Sequence, residues 1–103
     1  MLRTSWRYLL LRVPSEQNIS ENDLKSALSE TIEEFFGIIG LSQISLRIIR
    51  YEQSKGRAIV RCRTESTEML RSSIALLTKI SGKSGSISTI GVSGTIKSLK
   101  FKV

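Results

Sequence analysis

The chain has no histidine and only one cysteine, Cys62, among its 103 residues. Those two shortages remove whole classes of chemistry. Without imidazole there is no Ser-His or Cys-His nucleophile and no His-ligated metal, and a single thiol permits neither an internal disulfide nor an all-cysteine metal cage. A reducing, intracellular home is expected, the cytoplasm first. Long apolar runs are missing as well: none approaches the ~20 residues that cross a bilayer, so a soluble protein with no membrane partner is expected. At this length only one domain fits, residues 1–103, with a single modest core burying ~60–65% of the unfolded chain's surface.

Acids are absent where bases gather. The net charge is +7, from 16 bases and 9 acids, yet residues 69–103 hold six bases and no acid, while residues 15–34 hold six acids and only Lys25. A polyanion is drawn to the first region and repelled by the second, which leaves the acidic stretch to protein contacts or solvent. No basic amphipathic helix suited to a membrane surface is present, so nucleic acid is the better partner. The arginines of Met1 to Val13 superficially suit a transit peptide, but Trp6 to Val13 reads better as a strand.

What is present falls into a clear order. Trp6 to Val13 is aromatic and aliphatic and stops at Pro14, the first strand. Ser20 is the N-cap of a helix, with Asp23 completing an approximate capping box and Ile19 stapling onto Leu24. Leu24, Ala27, Leu28, Ile32, Phe35 and Ile39 recur at helical spacing as its inner face, and Gly37 or Gly40 ends it. Gln43 to Tyr51 alternates as a second strand, Glu52 to Gly56 turns, and Arg57 to Arg63 is a third. Thr64 or Ser66 caps a second helix that runs to about Ile80, with Leu70, Ile74 and Leu77 inward and Gly82 just past its end. A flexible basic loop, Gly82 to Gly85, leads to a fourth strand, Ser86 to Val92. The tail after Gly94 fits either a short strand or a helical face. Strand, helix, strand, strand, helix, strand is the ferredoxin-like plan, an α+β two-layer sandwich of RNA-recognition form with an antiparallel sheet, both helices on one face and the other face open.

On that open face Arg57, Arg61 and Arg63 share one side of the third strand. They form either a phosphate-gripping row or a solvated surface; the first is favoured because guanidinium binds phosphate bidentately and the strand holds no acid. Trp6 and Tyr8 could stack bases, but the third strand carries arginines where an RNA-recognition domain carries aromatics. Backbone contact to structured RNA is therefore expected over base stacking. Cys62 reads as a small buried apolar residue, and Glu30, Glu33 and Glu34 read as a solvated helix face rather than an acid-base pair. Lys79 and Lys83 either neutralise a helix end or join the tail lysines around RNA. Gly91-Val92-Ser93-Gly94-Thr95-Ile96-Lys97 and its basic tail combine backbone freedom, hydroxyls and ammonium groups, which suits a phosphate or, equally, a turn.

That closing motif, together with Arg61-Cys62, Ile74 to Ile80 and Arg7-Tyr8, resembles the archaeal ribonuclease P protein component 2 family, related to a subunit shared by eukaryotic ribonuclease P and ribonuclease MRP. The likeness spans roughly residues 6–102. It implies an accessory subunit of a ribonucleoprotein whose RNA, with magnesium on that RNA, removes the 5′ leader of precursor tRNA. It also implies a TIM-barrel protein mate and assembly with it as a heterotetramer. The protein itself would then have no catalytic residue, metal or cofactor. The basic N-terminal extension of such proteins is nearly absent, and Ser98 and Phe101 stand at tail positions where bases are expected. The RNA-binding residues expected are Arg57, Arg61, Arg63, Lys83, Ser93, Thr95, Lys97, Lys100 and Lys102. Two rivals share the fold. An acylphosphatase-type enzyme needs a glycine loop after the first strand, where this chain has Pro14-Ser15-Glu16; a regulatory or ligand-binding module would act on a protein partner.

Overall fold

Alternation along the first strand decides the architecture. β1 is Trp6–Arg12; Leu9 and Leu11 enter one apolar layer while Leu10, between them, enters another. The computed structural model describes residues 5–100, without the side chains of Ser98 and Lys100. After β1 come α1 (Glu21–Ile44), β2 (Arg47–Glu52), β3 (Arg57–Arg63), α2 (Thr67–Leu76), β4 (Lys79–Ile80), β5 (Lys83–Ser84), β6 (Ser88–Ser93) and α3 (Ile96–Lys100). Four strands form one sheet in the order β2-β3-β1-β6, with every neighbouring pair antiparallel. This is the expected ferredoxin-like sandwich, with a small β4-β5 hairpin inserted and a short helix appended.

The larger core lies between the sheet and the two long helices. Leu9, Leu11, Ala58, Val60 and Cys62 meet Leu24, Leu28 and Ile32 of α1 and Leu70 and Ile74 of α2. Each fully buried aliphatic side chain there contributes about 1.5–3 kcal/mol. The start of α1 follows the sequence closely: the Ser20 hydroxyl accepts from the Asp23 N–H, and the Asp23 carboxylate accepts from the Ser20 N–H. Those bonds hold the Asp23 carboxyl below its ordinary range. Nearby, Tyr51 donates to the Ile19 carbonyl at 2.6 Å, and burial together with the Asp23 charge pushes its phenol upward.

Gly56 makes the closest turn. It sits at φ +65°, and a Cβ there would lie 2.3 Å from the Val13 carbonyl oxygen. Its own carbonyl accepts from the Val13 N–H at 2.8 Å, so glycine lets β3 begin hard against the end of β1.

Four expectations need correction. Gly37 interrupts α1 without ending it: with φ 74° and ψ 179°, a conformation open to little but glycine, it redirects a chain that stays helical to Ile44. The redirection turns Phe35 and Ile39, expected inside, out to 47% and 75% exposure. It also carries Gln43 and Ile44 into the helix, so β2 starts at Arg47. Second, α2 stops at Leu76; Leu77 is buried but extended, and the segment after it is a hairpin. Third, Gly82 to Gly85 is that hairpin rather than a loose loop, because Ser81 and Gly82 both take positive φ, the pair a type I′ turn demands. Fourth, the far face of the sheet is not open. The tail after Gly94 forms α3, and Leu99, 1% exposed, packs with Leu10 and Ile59, backed by Tyr8, Ile49, Ile90 and Ile96.

Candidate nucleic-acid interface

Strand pleat sorts the charged residues on the α3 side. Since Ile59 of β3 belongs to the cluster under α3, Arg57, Arg61 and Arg63 share its face, as do Trp6, Tyr8 and Arg12 of β1. The expected arginine row exists, but α3 divides it. Arg57 lies four residues, about 13 Å, from Arg61 along the strand, with the apolar plug between them.

At one end the register sets Ser93, Tyr8, Arg61 and Arg47 side by side across all four strands, and Trp6 is paired with Arg63 one step further along. The Arg61 guanidinium lies over the Trp6 ring, 3.9 Å from its centroid. Its Nε is buried without a hydrogen-bond partner. Arg63 donates from Nε to the Ser45 hydroxyl at 3.1 Å, which ties it to the end of α1. Among the described residues, none of Arg47, Arg61 and Arg63 takes part in an ion pair. Like charges held directly opposite one another, as Arg47 and Arg61 are, repel unless an anion lies between them. Ser93 also belongs here, and its hydroxyl accepts from the Thr95 N–H at 3.2 Å, which shapes the entry to α3. Exposed Thr95 and Lys97 therefore follow on from this end of the sheet.

The remaining expected residues lie elsewhere. Arg57 points its Nη1 at the Lys55 and Gly56 carbonyls and faces Arg12 on one side and Glu52 on the other. Lys83 is exposed on the hairpin, which Gln17 ties to the loop after β1 by donating to the Ser84 carbonyl at 3.0 Å. The Lys100 side chain and Lys102 lie outside the described residues. The Gly91-to-Gly94 stretch builds no glycine cradle: neither glycine has positive φ, and Gly91 pairs with Leu10 beside a bulge in the β1-β6 ladder. Gly94 does permit close approach, since a Cβ there would lie 2.7 Å from Arg7 Nη1. Sequence reasoning missed Arg47, although the alternation of β2 places it on the polar side and strand order then brings it opposite Arg61.

Cys62 is fully buried and burial pushes its thiol upward, away from the nucleophilic thiolate. Among the described residues no three His, Cys, Asp or Glu side chains gather to hold a metal, and no helix is long and apolar enough to cross a membrane.

With the cationic row in place, comparison with known proteins decides the family. The model of the Rpp14/Pop5 family matches residues 7–103. The chain belongs to that family. Ribonuclease P protein component 2 of Methanobrevibacter smithii is 37% identical over 103 residues, covering 93% of this chain and 86% of the relative. The protein of the same name from Pyrococcus abyssi is 36% identical over 101 residues (98% and 86%), and that from Methanosarcina mazei 32% over 96 residues (93% and 81%). Among solved structures, a chain in the cryo-EM structure of yeast ribonuclease MRP superposes with a TM-score of 0.75 over 92% of this chain and 78% of that one. At 14% identity that likeness speaks for the fold alone.

Proposed function

We propose that this family member is an accessory protein subunit of ribonuclease P that binds the catalytic RNA and performs no bond-breaking itself. The observation that carries the reading is the row of Arg47, Arg61 and Arg63 without acid partners, on a chain whose relatives bear the ribonuclease P name. Guanidinium groups there neutralise phosphates that would otherwise repel one another, so that the RNA folds and cleaves precursor tRNA at lower magnesium. Lys97 and Thr95 extend the contact, with Lys100 and Lys102 of the tail. Arg57 and Lys83 serve more distant phosphates. Magnesium belongs to the RNA.

Protein mates are assigned to the helical side. Phe35, Ile38, Ile39 and Leu76 are exposed there, and Glu30, Glu34 and Lys79 line the groove of about 410 Å³ that Phe35 and Leu76 share. An apolar patch with an acidic rim suits a protein surface and repels RNA. The TIM-barrel subunit and a second copy of this chain are the two occupants proposed for this side and for exposed strand edges. Reconstitution tests the function: precursor-tRNA cleavage by the RNA and the remaining subunits should need more magnesium when this chain is left out. An unaltered magnesium requirement would overturn the reading. Replacing Ile38 and Ile39 by Glu should leave stability within about 0.5 kcal/mol, since both are exposed, while abolishing co-elution with the protein mate.

A further inference from the structure

The Trp6–Arg61 stack belongs to neither apolar cluster described above. Both residues are partly exposed. We infer that the juxtaposition of Trp6, Arg61, Arg47 and Arg63 is a seat for an unpaired nucleotide, with the base added to the Trp6–Arg61 stack and its flanking phosphates held by Arg47 and Arg63. The inference rests on the RNA-binding role proposed above and specifies the form of RNA taken at this end.

Three features carry it. A guanidinium held over an indole at 3.9 Å is a ready-made planar surface, and bases stack on arginine planes as they do on aromatic rings. The β3 position where an aromatic would serve an RNA-recognition domain is thus filled by a guanidinium whose orientation the indole fixes. Next, Arg61 takes part in no ion pair among the described residues, so its guanidinium is not committed to a carboxylate of the fold. Finally, Arg47 and Arg63 flank the stack on neighbouring positions of the ladders, and their side chains are exposed. A duplex presents its phosphates but keeps its bases stacked internally, so it could use the two flanking arginines and leave the stack untouched. An unpaired strand uses both.

Trp6 is the only tryptophan, so its fluorescence reports on this seat alone. The full-length protein is titrated at low salt with a short oligouridylate and, separately, with a blunt RNA duplex of equal length, following tryptophan emission and, by anisotropy of end-labelled RNA, affinity. The expected result is quenching by the single strand and little by the duplex. Trp6→Ala should weaken single-strand binding about 5- to 150-fold, the range that one stacked base supplies, with Trp6→Phe recovering much of it and duplex affinity nearly unchanged. Arg61→Lys, which keeps the charge and removes the plane, should resemble Trp6→Ala in affinity while folding normally by circular dichroism. Equal quenching by both RNAs, or single-strand binding without quenching, overturns the nucleotide seat and leaves the backbone-binding role standing. Failure to bind either RNA overturns both.

Discussion

The two ends of the sheet face beneath α3 use the same residue differently. At each end an arginine of β3 stands directly opposite another arginine: Arg57 opposite Arg12, and Arg61 opposite Arg47. Beside Arg57 the next strand supplies Glu52, itself paired with Arg50 at 2.7 Å and Lys55 at 3.4 Å, and the turn offers carbonyls to Arg57 Nη1. Its guanidinium is tied to backbone carbonyls beside an already paired carboxylate, so less of it is left for a ligand, although it too takes part in no ion pair among the described residues. Beside Arg61 the fold supplies an indole, a tyrosine and another arginine, and no ion pair. The difference teaches that a row of like charges along one strand is not one site; what lies on the adjacent strands decides whether each arginine is structural or left for a ligand.

The plug that separates the two ends is the first thing to break. Leu9 and Leu99 are both essentially unexposed, but Leu9 belongs to the large core and Leu99 to a cluster of three buried residues. Leu9→Ala should therefore cost stability toward the top of the roughly 2–5 kcal/mol range for such truncations, and Leu99→Ala toward the bottom, read from urea unfolding. Equal losses would mean that α3 is as much a part of the core as the long helices.

A smaller effect separates the ends themselves. Arg57→Ala should change the slope of log affinity for RNA against log salt by less than about 0.9, the value for one fully used phosphate contact. A larger change would make the Glu52 end a binding site equal to the other. The smallest effect concerns pH. Because hydrogen bonds from Ser20 lower the folded-state pKa of Asp23, its contribution is complete above the ordinary carboxylate range and is lost as pH falls through the folded value. Urea midpoints should hold steady from neutrality to mildly acid pH and then fall, and Asp23→Asn should soften that fall without altering RNA affinity at neutral pH.

Much of this was legible in the sequence because the signals were local. The capping box at Ser20 and Asp23, the glycine turn at Gly56 and the alternation of Arg57 to Arg63 each depend on neighbours a few residues away, and the strand order followed from their succession. What escaped depended on contacts between distant segments. Gly37 carries two readings, helix end or redirection, and only the packing of Ile44 into the core selects the second. Leu99 fits a strand spacing with Phe101 and Val103 as well as a helical spacing with Ile96, until Leu10 and Ile59 offer an apolar floor that selects the helix. Of the proposed site, the arginines of β3 were readable from alternation, whereas Arg47 joins them only through the β2-β3 register and Trp6 only through the β1-β3 register.

The central claim is that positive charge left unanswered at the Trp6 end binds RNA phosphate, and the salt dependence of RNA binding tests it most directly. Replacing Arg47, Arg61 and Arg63 together by Ala should reduce the magnitude of the slope by about 1.4–1.8, as the loss of the two phosphate contacts assigned to Arg47 and Arg63 requires, with the stack of Arg61 removed as well. An unchanged slope in a normally folded triple variant would contradict the account.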